Sequence, residues 1–264
     1  MSNRASDVRS GWVKAVGVLG ELLITAAVFI GLFVLWDAYF NPWVVGLRQE
    51  QTAAEQSRQL TQQLRAQQPT PASQSPTPTT SAPTHAPSAP AGTVPVLAEP
   101  ARVADTIGVI YIPRLGGDWR RILRQSVDTE RVLNSVTAGV GHYTGTAMPG
   151  GVGNFAVAAH DIGYGNSFLN LSKLRLGDRI YIQTSVGWYT YTFRNFQFVQ
   201  PDAVTVLDAI PAVSRIAGAD RLMTLTTCYP AVFPPLERVA AYATFVGFDT
   251  APPAELAPLL AKDG

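Results

Sequence analysis

The segment LTTCYP, residues 225–230, contains the only cysteine of a chain of 264 residues. The apolar and β-branched run RLMTLT at 221–226 predicts a strand that leads into it. Beyond Cys228, the prolines at 230, 234 and 235 cannot donate a backbone hydrogen bond, so no regular element is expected to continue. We therefore expect Cys228 where a strand opens into a proline-rich loop, a place at which scaffolds present reactive groups.

Two interpretations of Cys228 compete. A lone cysteine cannot form an intramolecular disulfide, and a free cysteine is often a small buried hydrophobe. Against this, its neighbours Thr226 and Thr227 are polar, and a second apolar strand, NFAVAAH at 154–160, ends at the ionisable His160. A thiol and an imidazole at the ends of two strands favour nucleophilic catalysis.

The pair of motifs resembles the sortase family of Gram-positive transpeptidases. The residues that carry the resemblance are TLTTC at 224–228, an arginine that opens the next strand (Arg238) and GNFAVAAH at 153–160. The similar region extends from about Thr106 to Asp249. Arg238 is chosen by its spacing from Cys228, and it could instead pair with Glu237 or Asp202.

The resemblance implies a mechanism for the three matched residues. Cys228 would attack the backbone carbonyl of a threonine in a sorting signal, and an incoming amine would resolve the thioacyl enzyme. His160 would protonate the leaving glycine amine, and Arg238 would donate hydrogen bonds to the substrate carbonyl or the oxyanion. Thr227 is a further candidate for the oxyanion site. His142, in a glycine-flanked loop, is the rival of His160 and otherwise a residue at the rim of the site.

A subclass is also indicated. The chain resembles class E sortases of high-GC Gram-positive bacteria, which prefer Leu-Ala-x-Thr-Gly to Leu-Pro-x-Thr-Gly. The features that carry this resemblance are YIP at 111–113, GHY at 141–143, TLTTC, a predicted N-terminal membrane anchor and a long spacer. This implies that Tyr111 lines the pocket for the second motif residue, although Tyr111 could equally be a core residue. Tyr229 departs from this pattern and is shared with class D enzymes. The candidate substrate-contacting residues are Tyr111, Thr226, Thr227, His142 and Tyr143.

The N-terminal part predicts a membrane anchor. Residues 16–36 form an apolar run of 21 residues, which is long enough to cross a bilayer as a helix. Residues 1–15 carry Arg4, Arg9 and Lys14 against Asp7, a bias that keeps the N-terminus cytoplasmic and places the rest outside the cell. A cleavable signal peptide is the alternative, but no Ala-x-Ala site follows the run.

Two polar regions separate this anchor from the next domain. Residues 37–68 are rich in Gln, Arg and Glu, with leucines too sparse for a packed face, and predict a solvated helical stalk. Residues 69–103 are rich in Pro, Ser, Thr and Ala, with nine prolines between 69 and 100, and predict a disordered, extended linker.

Residues 104–249 read as many short strands divided by turns, which predicts an all-β-dominated sandwich or barrel with short helices. The sortase resemblance selects a closed barrel of about eight strands, followed by a Pro/Ala tail at 250–264. Strands are expected at 107–113, 154–160, 179–184, 188–199, 221–226 and 238–248, a helix at 128–136, and loops at 139–145 and 148–151.

The composition argues against several classes of binding partner. A formal net charge of +1 and the lack of a basic stripe argue against nucleic acid. Three widely spaced histidines and one cysteine provide no metal-ligand spacing, and no cofactor motif is present. The expected partners are the membrane, secreted proteins with a C-terminal sorting signal, and a peptidoglycan precursor or cross-bridge amine. A cysteine hydrolase of the same fold, a class D-like enzyme and a non-catalytic surface β-domain are the alternatives.

Overall fold

The computed structural model describes residues 4–67, 94–211, 220–231 and 236–263. Most of the predicted linker and Pro234 and Pro235 lie outside these ranges. The described chain contains helices α1 (Arg4–Leu35), α2 (Asn41–Gln67) and α3 (Ala257–Ala261). Its strands are β1 (Thr106–Tyr111), β2 (Arg120–Gln125), β3 (Gly139–His142), β4 (Gly153–Ala158), β5 (Arg179–Gln183), β6 (Trp188–Val199), β7 (Arg221–Tyr229) and β8 (Glu237–Asp249).

The strands close into a barrel in the order β1-β2-β3-β4-β7-β8-β6-β5, and β5 pairs with β1. The pairs β2–β3 and β4–β7 are parallel, and the remaining pairs are antiparallel. The predicted closed, all-β-dominated barrel is confirmed. Because β4, β7 and β8 are neighbours, the end of β4, the end of β7 and the start of β8 lie together at one end of the barrel.

The barrel interior is filled by every second residue of each strand. On β4 these are Phe155 and Val157, and on β7 they are Met223 and Leu225. The other strands contribute Ile110, Leu123, Val140, Ile180, Ile182, Tyr189, Tyr191, Val239, Ala241 and Ala243. Fully burying one large apolar side chain stabilises the fold by about 1.5–3 kcal/mol. The period of two therefore decides which side chains of β4, β7 and β8 remain outside.

Two strands fall where loops or no element were expected. β3 covers the first four residues of the loop predicted at 139–145, and its glycines hide the strand pattern. β2 has the sequence RRILRQ, in which the charged residues conceal a strand that is buried almost throughout. The heads of Arg120 and Arg121 are paired with Asp263 and Glu50, so these charges are compensated in the folded state.

Helix α2 is not the solvated stalk that the sequence suggested. Its residues at spacings of three or four are buried, and they are Gly46, Gln49, Ala53, Ser57, Leu60 and Leu64. Ala53 and Leu60 pack in one cluster with Ile122 and Trp188 on the outer surface of the barrel. The expectation failed because this face consists mainly of small and polar residues, which carry a weak apolar signal.

The segments before and after the barrel are also packed against it. Leu256 and Leu259 of the predicted C-terminal tail join the cluster beneath α2. At the other end, Val94 and Leu97, from the end of the predicted linker, contact the barrel core. The Tyr189 hydroxyl donates a hydrogen bond of 2.7 Å to the carbonyl of Pro95. The packed domain therefore extends beyond 104–249 on both sides.

Helix α1 continues into α2 through one π-helical turn at Trp36–Phe40. Within the described residues, this N-terminal helix contains one window long and apolar enough to cross a membrane, and none of that window is buried inside the structure. The predicted segment at 16–36 falls in this helix. Length and composition thus make α1 a possible anchor.

Candidate active site

Cys228 and Arg238 face each other across two antiparallel strands. They are direct partners in the register of β7 and β8. Met223 and Leu225 of β7 point into the barrel, so the alternation places Cys228 on the outer face, and Arg238 pairs with it there. Both residues are half-buried.

His160 reaches the same end of the barrel from β4. The parallel register pairs Ala158 with Thr226, so His160 and Cys228 each lie two residues beyond a paired position. The Ala159 N–H donates to the carbonyl of Thr226 at 3.2 Å, and the Thr227 hydroxyl donates to the carbonyl of Ala159 at 2.8 Å. These bonds join the residue that precedes His160 to the two residues that precede Cys228.

Opposing effects act on the thiol. Partial burial raises the pKa of Cys228, because the thiolate is poorly solvated there. The Arg238 guanidinium lowers the pKa of this thiol, and the Asp161 carboxylate raises it. Burial lowers the pKa of His160, and Asp161 opposes that shift. Burial thus favours the neutral form of both the Cys228 thiol and the His160 imidazole.

A small pocket opens directly beside the thiol. Its volume is about 40 Å³, enough for a small side chain or a few water molecules. It is lined by Asp161, Phe168, Leu169, Ser172, Thr227, Cys228, Tyr229, Ala231 and Val239. Two larger pockets, of about 490 and 430 Å³, are lined mainly by α2 and C-terminal residues and include none of Cys228, His160 and Arg238. We take the small pocket as the candidate site because it contains the Cys228 thiol, although it is smaller than the other two.

The sequence profile of the sortase domain matches residues 110–246, which is slightly over half of the chain. The chain belongs to the sortase family. Its members are cysteine transpeptidases, so this sortase is an acyl-transfer enzyme. The match spans β4, β7 and most of β8 and therefore includes Cys228, His160 and Arg238.

Individual relatives agree with this assignment. The sortase is 32% identical to sortase SrtE2 of Streptomyces coelicolor over 224 residues, covering 82% of this chain and 77% of that protein. Its structure matches sortase E of Streptomyces avermitilis with a TM-score of 0.51 and 34% identity, over 57% of this chain and 96% of the other. It matches the SrtA sortase of Actinomyces oris with a TM-score of 0.56 and 30% identity, over 63% and 95% of the two chains. The resemblance to class E sortases is confirmed.

Asn134 is a site residue that sequence reasoning missed. Its side-chain oxygen lies 2.9 Å from Nε2 of His160 and accepts the hydrogen bond from that nitrogen. The ring of Tyr164 packs beside the imidazole with 5.4 Å between centroids. With Nε2 donating to Asn134, Nδ1 is the ring nitrogen of the neutral imidazole that has a lone pair to accept a proton. No local motif links Asn134 to a histidine 26 positions away.

Asp161 was also missed as a site residue. It is 7% exposed and lines the pocket beside Cys228. Its Oδ1 accepts a hydrogen bond of 2.7 Å from the Ile162 N–H, whereas its Oδ2 is buried without a hydrogen-bond partner among the residues that the structure describes. Within the described chain no ion pair involves this carboxylate, which adds a negative charge to the site.

Three of the predicted substrate-contacting residues do lie close to the thiol. Thr227 lines the pocket with Cys228. Thr226, one residue further back, shares a hydrogen bond of 2.9 Å with the hydroxyl of Tyr143. Tyr143 and Thr226 therefore support β7 immediately before the cysteine, and their contact with substrate stays a prediction.

The other two predicted contacts lie elsewhere. His142 is fully buried, with Nδ1 2.9 Å from the Gln125 side-chain oxygen and Nε2 2.9 Å from the Thr146 hydroxyl. It is thus neither a rim residue nor positioned to replace His160. Tyr111 is fully buried beneath α2, where its hydroxyl donates to Gln183 at 2.9 Å. The core interpretation of Tyr111 fits this position and the pocket interpretation does not, because an outward-facing β1 side chain is covered by the helix.

Proposed function

We propose that this sortase cleaves a sorting signal between threonine and glycine through a thioacyl intermediate on Cys228 and transfers the acyl group to a cell-wall amine. The observation that carries the proposal is the convergence of Cys228, His160 and Arg238 at one end of three adjacent strands. A thiol nucleophile, a proton carrier and a fixed cation are the three groups that acyl transfer to an amine requires.

The first half of the reaction forms the thioester. Cys228 gives its proton to His160, and the thiolate sulfur attacks the threonine carbonyl. Arg238 stabilises the negative charge that develops on the carbonyl oxygen. The C–N bond then breaks, and His160 returns the proton to the departing glycine amine.

The second half reverses these steps with a new amine. The incoming amine attacks the thioester carbonyl and loses a proton to His160 as the new amide bond forms. The sulfur departs as a thiolate and recovers its proton from the imidazolium. If water attacks instead, the product is the free acid, which is the outcome expected of a cysteine hydrolase with this fold.

We also propose the cellular arrangement and the signal. Helix α1 spans the cell membrane once, with its basic N-terminus in the cytoplasm and the barrel outside. The substrates are secreted proteins with a C-terminal sorting signal, and the acceptor is a peptidoglycan precursor or cross-bridge amine. The preference for Leu-Ala-x-Thr-Gly rests on the relationship to sortases E, because Tyr111 does not line the pocket beside Cys228.

The test uses the full-length chain in detergent micelles with Leu-Ala-Glu-Thr-Gly and Leu-Pro-Glu-Thr-Gly peptides and an excess of an oligoglycine amine. Mass spectrometry should detect a threonine–glycine amide product that is lost in Cys228→Ala. Free acid at every amine concentration would identify a hydrolase. Failure to cleave either peptide, with Cys228 unreactive toward an alkylating agent, would favour the non-catalytic surface domain.

A further inference from the structure

Gln49 is a buried amide in α2 whose role the reaction does not yet explain. Its side chain has no exposed surface. The Nε2 group donates hydrogen bonds to the carbonyls of Ser135 at 2.8 Å and Tyr164 at 2.9 Å. Its Oε1 accepts a hydrogen bond of 3.2 Å from the Ser167 hydroxyl. One side chain of the helix thus ties together two separate loops of the barrel.

These two loops are the ones that hold His160. Ser135 directly follows Asn134, whose side chain binds Nε2 of the imidazole. Tyr164 packs its ring beside the imidazole. Ser167 precedes Phe168, whose N–H donates a hydrogen bond of 2.8 Å to the carbonyl of His160. Gln49 therefore bonds to Tyr164, which contacts the imidazole directly. It also bonds to Ser135 and Ser167, which are next to the two other residues that bond to His160.

Two glycines lie against the Gln49 amide and leave space for it. Gly139 and Gly165 have φ angles of +94° and +92°, which residues with a side chain rarely adopt. A Cβ atom at Gly165 would lie 2.2 Å from Oε1 of Gln49, and one at Gly139 would lie 2.8 Å from its Nε2. Arg121 closes the other side, donating hydrogen bonds to Ser167 and to the carbonyl of Gly165.

We propose that Gln49 is a positioning residue for His160, through which the helix that continues from the membrane-spanning segment sets the geometry of the active site. The inference rests on the proposed function in so far as His160 carries the proton. Because Gln49 bonds to both loops, the helix fixes their positions relative to each other. Without the amide, the carbonyls of Ser135 and Tyr164 lose the donor that joins them, and a polar group left without a partner in a part-buried position costs stability.

The experiment compares Gln49→Ala and Gln49→Met with Gln59→Ala in the full-length chain in micelles. Gln59 is an exposed glutamine on the same helix and serves as the matched control. Methionine keeps the length of the side chain and the helix propensity without the hydrogen bonds of the amide, so it fills the space that alanine would leave as a cavity. For each variant, kcat and KM are measured per mole of folded enzyme.

A second readout does not depend on activity. The chain has three histidines, so the ring resonance of His160 can be assigned by its absence in His160→Ala. We expect this resonance to shift or broaden in both Gln49 variants and to stay unchanged in Gln59→Ala. We expect kcat to fall about tenfold or more with KM nearly unchanged, because substrate still binds while the proton carrier is misplaced.

The inference is overturned if both Gln49 variants keep the kcat of Gln59→Ala and an unchanged His160 resonance. It is also overturned if the loss of activity is fully explained by the lower folded fraction. If the wild-type chain processes neither peptide, the proposed function fails, and the His160 resonance alone then decides whether Gln49 positions the imidazole.

Discussion

At the scale of single residues, the reactivity of Cys228 depends on two charges of opposite sign. Arg238 stabilises the thiolate, and Asp161 disfavours it. The same Asp161 favours the protonated form of His160. Because proton transfer from the thiol to the imidazole creates an ion pair, Arg238 and Asp161 each stabilise one half of that pair. Two substitutions with opposite effects test this arrangement.

Replacing Arg238 by alanine should raise the pKa of Cys228. The alkylation rate of the thiol should therefore shift to higher pH, because less thiolate exists at a given pH. The loss of a donor to the oxyanion should also reduce kcat/KM by roughly 100-fold. Arg194→Ala, an exposed arginine on β6, is the control. An unchanged alkylation profile in Arg238→Ala would exclude an electrostatic role.

Replacing Asp161 by asparagine should have the opposite effect on the thiol. Without the carboxylate the pKa of Cys228 falls, and the alkylation profile should shift to lower pH. Asp161→Glu keeps the charge and should stay near the wild-type profile. A shift to higher pH in Asp161→Asn would contradict the position that the structure gives to this carboxylate.

Short motifs in the sequence were enough to nominate the three candidate catalytic residues, and their catalytic roles stay predictions. Cys228, His160 and Arg238 each sit at a strand end, and strand periodicity with the family resemblance was enough to select them. Asn134, Asp161 and Gln49 were not found, because their contacts depend on how loops and a distant helix pack. Tyr111 was predicted to line a substrate pocket, but helix α2 covers its side chain.

At the scale of elements, the largest difference between the structure and the prediction is helix α2, which is packed against the barrel and not solvated. The six buried positions named for this face carry two leucines, three small residues and an amide, so the helical spacing of the face gives only a weak hydrophobic signal in the sequence. The strands behave differently. The strands β5, β6 and β8 were predicted within about two residues, because alternation in a barrel is strict.

Leu60 offers a direct test of this packing. It is 5% exposed and belongs to the cluster between α2 and the barrel. Leu60→Ala should lower the free energy of unfolding by about 2–5 kcal/mol, since it removes buried apolar surface and leaves a cavity. Leu47→Ala, at a position 41% exposed, should change it by less than about 0.5 kcal/mol. If the two variants are equally stable in thermal unfolding, α2 does not pack against the barrel and the prediction of a solvated stalk is correct.

At the scale of the whole molecule, the barrel, α2 and the C-terminal segment form one packed unit around two buried layers. One layer fills the barrel, and the other lies between its outer surface and α2 with α3. The ion pair between Arg120 and Asp263 joins β2 to the C-terminal end of the described chain. Any stability measurement therefore reports on the candidate site and on helix α2 together.

The pH dependence of stability is a property of this whole unit. Burial lowers the pKa of both His142 and His160, so the folded state favours their neutral forms. The unfolded chain takes up these protons near pH 6.5. Below that value the unfolded state binds more protons than the folded state, and stability falls as the pH decreases. Glu99 and Asp178 have lowered pKa values and lose their contribution only below about pH 4.

We therefore expect the unfolding temperature to fall by a few degrees between about pH 7.5 and about pH 5.5, in the window where the histidines titrate and the carboxylates do not. The fall should be shallower in His160→Gln, because one of the two buried imidazoles is then missing. Circular dichroism of the full-length chain in micelles measures both. A constant unfolding temperature across this range would mean that both imidazoles take up protons as readily in the folded chain as in the unfolded one. Their burial around α2, β2 and the loops of the active site would then not persist in solution.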